Sequence, residues 1–503
     1  MRNQGVGSWP LRRARMTPDR VAFISDGGTE TYRELRDRVY RLAHALRDLG
    51  VRRGDRVAYL GPNHPAFAET MFAAGTLGAV ILPLNTRLAA LELAYIVADA
   101  GAQLLVWGPE MASTVAELRQ HHQFRTEVPV GDDYEALLAG AAGEEIDEPV
   151  GLDEICMIQY TSGTSGHPKG VMMSHANIVW NCFNLMLDID VASDEVTLVS
   201  APMFHTAALN QTFLPTILKG GTAVLMSAFD PQRALGLIGE RRVTWMFGVP
   251  AMYQSIAQSP GWADADLSSV RTLMCGGAPV PESLIRTYHE RGLTFLEGYG
   301  LTEASPGALF LRAEESLRKI GSAGTPCFFT DVRVVGPDGG DVAPGETGEV
   351  IIQGPNVMAG YWQLPEATAD AFYDEGWLRS GDAATVDDDG FVYIVDRIKD
   401  MIISGGENIY PAEVEQALYQ HPAIADCAVI GVPDQRWGEV GRAVVALRPG
   451  ATASAEEIIG FLSGKLAKYK IPKSVVVVQA LPHNAAGKLL KGPLREKFGS
   501  PDA

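Results

Sequence analysis

Along ETYRELRDRVYRLAHALRDLG (Glu30–Gly50) the apolar side chains Tyr32, Leu35, Val39, Leu42, Leu46 and Leu49 recur at helical spacing. That spacing predicts an amphipathic helix, with Gly50 as its stop. DRVAYLGPN then reads as a strand and turn. AFAETMFAAGTLGAVILPLN reads as helix then strand, and LELAYIVADAGAQLLVWG repeats the order. The same alternation returns at ALGLIGERRVTWMFGVP and VPESLIRTYHERGLTFLEGYG. Helices alternating with short apolar strands predict an α/β fold, with mostly parallel sheets flanked by helices. No fixed-period repeat is present.

After about Ser322 the pattern changes. DVRVVGPDGGDVAPGETGEVIIQG is short strands between Gly, Pro and Asp turns, which predicts a small antiparallel β region. GDAATVDDDGFVYIVDR extends it, with Asp389-Gly390 as a hairpin signal. From IKDMIISGGENIYPAEVEQALYQHP onward the chain is again a short α/β run. The expected division is a large domain over 1–397, holding mixed and parallel sheets plus the small β region, and a small mobile α+β lid domain over 398–503.

At 503 residues the chain is too long for one core, and about two to four structural units are expected. A formal net charge of −19 argues against nucleic acid, whose phosphates require a basic face. It also gives no bulk attraction to anionic lipid, although Arg12, Arg13 and Arg15 leave a peripheral lipid contact open beside the solvated helix face. An acidic protein that binds an anion must do so with a few local cations, backbone N–H groups and a metal ion. The five cysteines (Cys156, Cys182, Cys275, Cys327, Cys427) are scattered without a C-x-x-C pair, as expected of reduced thiols in a cytoplasmic protein. The arginine-rich N-terminus lacks an apolar run, so no signal peptide is expected, and AAGTLGAVILPL is far short of the roughly 20 residues of a membrane helix.

The stretch YTSGTSGHPKGV (Tyr160–Val171) carries the candidate chemistry. Its glycines let backbone N–H groups turn inward, its hydroxyls add donors, and Lys169 adds a mobile charge, so a polyphosphate can be cradled. It is not the familiar G-x-x-x-x-G-K-[ST] loop, because Pro168 precedes the lysine and Gly170 follows it. Composition alone leaves a plain surface turn as the alternative. EICMIQY before it reads as a strand, and MMSHANIVW after it reads as the start of a helix.

The whole string resembles the signature loop of the adenylate-forming superfamily: acyl-CoA synthetases, luciferases and the adenylation domains of peptide synthetases. GGAP (Gly276–Pro279), YGLTE (Tyr299–Glu303), SGD (Ser380–Asp382), DRIKDMIISGGENIYPAEVE (Asp396–Glu415) and NAAGKLLK (Asn484–Lys491) follow in the family's order, so the resemblance spans essentially the whole chain. It implies that Thr161, Ser162, Gly163, Thr164, Ser165 and Lys169 hold the phosphates of ATP. Gly276, Gly277 and Ala278 would line adenine and substrate. Glu297, Gly298, Tyr299 and Gly300 would border the nucleotide, with Tyr299 stacked on the base. Thr302 would donate to the α-phosphate, and Glu303 would ligate Mg2+. Asp382 would take the ribose hydroxyls, Arg397 would reach ribose and phosphate, and Lys399 would be the hinge. Lys488 would steady the charge that develops as a carboxylate attacks the α-phosphate. The family has Thr or Ser directly before the Gly-Lys pair, where this chain has Ala486. His205 matches a residue that lines or gates the acyl tunnel, with a satisfied core histidine as the equal alternative.

The implied reaction has two halves: carboxylate and Mg·ATP give acyl-adenylate and pyrophosphate, then the thiol of coenzyme A displaces AMP. Between the halves the small domain of the family rotates, withdrawing Lys488 and bringing Gly405 and Gly406 to the pantetheine tunnel. Phe204-His205 stands where amino-acid-activating relatives carry an aspartate, and MFHTAALNQTF and WMFGVPAMY hold no arginine for a dicarboxylate. Met203, Phe204, Ala207, Ala208, Leu209, Trp245, Phe247, Val249 and Met252 offer an apolar lining instead. The expected substrate is a hydrophobic carboxylic acid. Fatty acid–CoA ligases are the leading resemblance and 4-coumarate- or benzoate-type aryl ligases the next. A carrier-protein acceptor, oxygen as in luciferase, or a non-catalytic binding protein are the remaining readings. Oligomeric state is not legible.

Overall fold

The first expected helix runs Tyr32–Asp48. Thr31 caps it reciprocally: the Glu34 amide donates to the Thr31 hydroxyl at 3.3 Å, and the Thr31 amide donates to the Glu34 carboxylate at 2.7 Å. Leu35, Val39, Leu42 and Leu46 are buried along one stripe, while Leu49 lies half-buried just beyond the helix end. Each such side chain contributes about 1.5–3 kcal/mol by leaving water. The other helix–strand pairs form as expected: Pro65–Thr76 with Val80–Leu84, Ala90–Ala100 with Leu104–Trp107, Pro231–Glu240 with Trp245–Gly248, and Glu282–His289 with Phe295–Gly300.

The computed structural model describes residues 3–161, 168–278, 280–404, 407–463, 465–483 and 489–500. Its contacts divide the chain into two compact units, Met1–Val332 with Ile352–Leu378, and Arg333–Ile351 with Arg379–Ala503.

The first unit is built on two sheets. A seven-stranded sheet has the order Gly360–Tyr361, Lys169–Ser174, Ile155–Thr161, Val80–Leu84, Arg56–Leu60, Leu104–Trp107, Thr126–Pro129. Its last five strands run parallel, and the first two are antiparallel additions at the edge. A nine-stranded sheet is parallel through Phe295–Gly300, Thr272–Gly276, Trp245–Gly248, Val196–Val199, Thr222–Leu225 and Val21–Ser25, with antiparallel strands beyond. Helix side chains such as Leu93 and Val97, or Leu237 and Leu284, close the apolar faces of the two sheets, which are therefore near-continuous runs of Val, Leu, Ile and Met. Loops at the carboxyl ends of strands from the two sheets are tied directly. The Asn63 amide donates to the carbonyls of Val199 and Ala201 at 3.2 and 2.9 Å, and its oxygen accepts from the Met203 amide at 2.8 Å. Gln159 donates to the Phe204 carbonyl. Carboxyl ends of parallel strands are where ligands bind in such sheets.

The second unit carries most of a four-stranded sheet (Asp331–Val335, Gly348–Gln353, Leu378–Val386, Val392–Arg397) and a five-stranded C-terminal sheet flanked by helices Pro411–Tyr419, Ala455–Leu462 and Lys491–Phe498. Packing thus groups Arg379–Arg397 with the C-terminal segment, whereas the sequence places the division near Ile398. The Asp396 carboxylate supplies the physical link, accepting from the amides of Arg397 and Ala412, each at 2.7 Å. The Asp389-Gly390 signal marks a real reversal: Val386 pairs with Val392, and Gly390 has φ +84° in the loop between them.

All five cysteines are buried free thiols. Among the described residues no helix is long and apolar enough to cross a membrane. Arg12 donates to the Ser8 hydroxyl and the Asn3 carbonyl, each at 2.8 Å, Arg13 donates to the Leu218 carbonyl, and Arg15 pairs with Glu145 at 3.3 Å.

Candidate active site

The described ends of the phosphate-loop candidate are the paired strands of a hairpin. Strands Ile155–Thr161 and Lys169–Ser174 run antiparallel, and their last pair is Thr161 opposite Lys169. The stretch MMSHANIVW does start a helix as expected, but its first three residues belong to the strand Lys169–Ser174, which completes the ladder with Ile155–Thr161. The helix, His175–Asp188, begins only after Ser174 caps it reciprocally with Asn177. Gly170 follows the lysine for a steric reason: a Cβ there would stand 2.8 Å from the Ile158 methyl and 3.1 Å from the Tyr160 ring. Ser162, Gly163, Thr164 and Ser165 lie outside the described residues, as do Gly405, Gly406 and Lys488.

The second element is the end of the Phe295–Gly300 strand. Gly300 is opposite Gly307 after a register shift, and a Cβ on Gly300 would stand 1.7 Å from the Pro306 carbonyl oxygen. Only glycine allows this approach, and it turns the chain into the short 3-10 turn Thr302–Ala304. Glu303 is half-buried there, and its carbonyl accepts from the Met358 amide at 2.8 Å. Tyr299 is half-buried on the strand opposite Leu309. Gly276 ends the neighbouring strand, packed so closely on Gly298 that a Cβ would meet its carbonyl oxygen at 2.5 Å, and Gly277 turns with φ +81° into exposed Ala278.

The structure joins the two elements through a residue the sequence reading did not single out. Tyr361 donates its hydroxyl to Glu303 Oε1 at 3.0 Å, and the Lys169 ammonium lies 4.9 Å from the centre of the same ring. Burial, reinforced by the carboxylate, pushes the Tyr361 phenol up, so it stays a protonated donor. Among the described residues no hydrogen bond reaches Glu303 Oε2. A carboxylate with one oxygen uncommitted fits Mg2+, which takes one or two carboxylates together with phosphate oxygens and water.

Glu297 is placed differently from its strand neighbours. It is 6% exposed and accepts from the Ser316 hydroxyl at 3.4 Å, and burial raises its carboxyl to about 7. His205 follows Phe204, whose ring lies 4.6 Å away, and Gln159 holds the Phe204 carbonyl from the strand that also carries Thr161. Burial lowers the imidazole to about 4, so it is neutral at physiological pH, and its Nε2 is buried without a partner among the described residues. Ala207, Ala208, Phe247 and Met252 meet Met274, Leu296 and Phe310 in one apolar cluster. Trp245 and Leu209 are fully interior, at 1% and 0% exposure.

In the second unit Asp382 faces Arg397 across the ladder, with Arg397 Nε donating to Asp382 Oδ1 at 2.6 Å. Lys399 follows in the 3-10 turn Ile398–Asp400, its ammonium pulled below the usual lysine range by burial.

The model of the AMP-binding enzyme family matches residues 11–362, and that of the AMP-binding enzyme C-terminal domain matches 413–488. The chain belongs to the AMP-binding enzyme family. Feruloyl-CoA synthase of an Amycolatopsis species is 56% identical over 499 residues, covering 99% of this chain and 100% of that protein. Long-chain-fatty-acid–CoA ligase FadD13 of Mycobacterium tuberculosis is 40% identical over 506 residues, covering 99% of each. The solved O-succinylbenzoate coenzyme A synthetase (MenE) of Bacillus subtilis, in complex with ATP and magnesium ion, superposes with a TM-score of 0.89 at 34% identity, over 97% of this chain and 99% of that one. This AMP-binding enzyme is therefore an AMP-forming acyl-CoA ligase, working with ATP, Mg2+ and coenzyme A. Its fold is the expected one, a large α/β N-terminal part of mixed sheets followed by a small C-terminal domain.

Proposed function

We propose that the enzyme activates an aryl carboxylic acid of the hydroxycinnamate class, ferulate being the model, and transfers it to coenzyme A. The 56% identity with feruloyl-CoA synthase along the full chain is the observation that carries this choice of acid. The apolar cluster of Ala207, Ala208, Phe247, Met274 and Phe310 is compatible with an aromatic acid. The neutral His205 Nε2 is a lone polar group for an oxygen of the substrate.

In this reading Thr161 and Lys169 grip the phosphate end of ATP, Thr302 donates to the α-phosphate, and Tyr299 stacks on the base. A carboxylate oxygen of the acid bonds to the α-phosphorus as the bond to the bridging oxygen breaks, and pyrophosphate leaves. Lys488 stabilises the charge at that step, and no enzyme nucleophile is required. Mg2+ bound at Glu303 would neutralise phosphate charge. In the second half the sulfur of coenzyme A bonds to the acyl carbon, its proton goes to solvent, and AMP leaves.

The test is ATP–pyrophosphate exchange across ferulate, 4-coumarate, benzoate, medium- and long-chain fatty acids, malonate and amino acids, repeated with coenzyme A while AMP and thioester are followed. The reading expects exchange with the cinnamates and formation of their thioesters. Exchange confined to fatty acids would move the assignment to the second reading, a fatty acid–CoA ligase, which the 40% identity with FadD13 favours. Exchange without coenzyme A thioester would point to a carrier-protein acceptor. No exchange with any acid would remove the adenylation reading.

A further inference from the structure

We infer that Tyr361 is a positioning residue that holds Glu303 for the cation and Lys169 for the phosphates by standing between them. The inference rests on the proposed assignment of those two residues to Mg2+ and ATP. An ammonium and a carboxylate brought to one place attract each other, and a direct pair would neutralise both groups before substrate arrives. Here they share one phenol instead. Glu303 accepts from its hydroxyl at 3.0 Å, Lys169 rests 4.9 Å from its ring centre, and among the described residues no ion pair joins Lys169 to Glu303. The hydroxyl fixes Oε1 and leaves Oε2 for a monodentate bond. The ring face is a weak and reversible seat for the ammonium, which can leave it for a phosphate.

The surrounding chain is anchored to present this one side chain. Residues 355–362 have little regular structure, yet each end is tied. Asn177 donates to the carbonyls of Pro355 and Val357 at 2.8 and 2.7 Å, and Asn356 donates to those of Ala304 and Gly307, each at 2.8 Å. The amides of Ala359 and Trp362 then donate to Met172 and Gly170 at 2.9 and 2.7 Å, which adds the strand Gly360–Tyr361 to the hairpin edge beside Lys169. The Tyr361 amide donates to the Thr368 hydroxyl at 2.9 Å. The next side chain, Trp362, donates from its indole to the Asp99 carbonyl at 3.1 Å. Asn356, within this segment, also fixes the turn bearing Glu303, so the carboxylate and the phenol move together.

Two variants separate the two contacts. Tyr361→Phe keeps the ring and removes the hydroxyl, and Tyr361→Leu removes both. The readout is Mn2+ bound by enzyme and ATP together, followed by electron paramagnetic resonance, with metal-free ATP binding measured in EDTA. Tyr361→Phe is expected to weaken Mn2+ binding in the ternary complex about tenfold, the usual worth of a hydrogen bond to a charged group, and to leave metal-free ATP binding unchanged. Tyr361→Leu is expected to weaken metal-free ATP binding as well, by about threefold, as Lys169 loses its seat. Wild-type Mn2+ affinity in Tyr361→Phe would overturn the inference, and so would an equal loss of ATP binding without metal, the mark of general damage. A wild-type enzyme that forms no Mn2+·ATP complex would instead overturn the assignment of the site.

Discussion

Asp382 and Arg397 are opposite partners in an antiparallel ladder, and the guanidinium Nε donates to the carboxylate Oδ1 at 2.6 Å. The Asp382 side chain is 7% exposed and that of Arg397 is 34% exposed, so the pair is sheltered on the carboxylate side only. An aspartate held this way has a fixed orientation, which a group that accepts from two ribose hydroxyls requires. Asp382→Asn keeps the shape but removes the charge. The KM for ATP is expected to rise by about tenfold or more, with a smaller drop in thermal midpoint, because charge-assisted hydrogen bonds are worth about 1.5–3 kcal/mol. ATP titration in the exchange assay checks this, and an unchanged KM would exclude Asp382 from nucleotide binding.

Lys488 is assigned by the motif alone. Lys488→Ala is expected to lower ATP–pyrophosphate exchange by about 100- to 1000-fold, the range for a group aimed at developing charge. Thioester formation from a supplied acyl-adenylate should be largely retained. Equal loss in both assays would contradict a role confined to the first half-reaction.

Gly300→Ala places a methyl where the Pro306 carbonyl oxygen already stands, 1.7 Å from the ideal Cβ. Backbone cannot yield as a flexible side chain can, so the turn that carries Thr302 and Glu303 must shift. The expected outcome is a fall in kcat/KM of about 100-fold, since displacement of a reacting geometry by an ångström costs that much. Steady-state kinetics on folded protein, verified by circular dichroism, provide the check.

His175 packs in the interior with its Nδ1 accepting from the Val6 amide at 3.1 Å, and burial lowers it from 6.5 to about 4. The fold favours the neutral ring. Its stability contribution is therefore complete above pH 6.5 and is lost as pH falls from 6.5 towards 4. His205, lowered to about 4 by the same cause, adds to the slope in that window. His175→Asn, whose oxygen can replace Nδ1 as acceptor, should be less stable than wild type at pH 8 but show a shallower decline between pH 6.5 and 4. Thermal midpoints across that range decide it, and parallel curves would refute the assignment.

How much of the site was legible depended on the range of the forces involved. Gly170 and Gly300 were readable as motif letters, but their reasons lie in contacts with Ile158 and Pro306, and no local pattern states those. The second strand, Lys169–Ser174, is not legible in MMSHANIVW, where the capping pair Ser174-x-x-Asn177 marks only that a helix begins at His175. Tyr361 was missed because GPNVMAGYW has no periodicity. The only local hint was a Gly-Tyr pair shortly before the proline-initiated helix Pro365–Asp370. Asn63, Gln159 and Asn356 were passed over for the same reason: single buried amides are invisible until their carbonyl partners are known.

The sequence by itself determined the alternation of helices and strands that makes an α/β fold, and its motifs point to Lys169, Thr302 and Glu303 as the proposed site members. Side-chain period reports which face is buried, and ordered motifs report ancestry. Only the tertiary structure decided that Tyr361 joins Glu303 across 58 residues of chain, that Lys169 shares its ring, and that Arg379–Arg397 packs with the C-terminal segment. Such pairings are set by which strand occupies a sheet edge and which carbonyls an asparagine reaches. Those are properties of backbone placement in space, and neighbouring residues do not encode them.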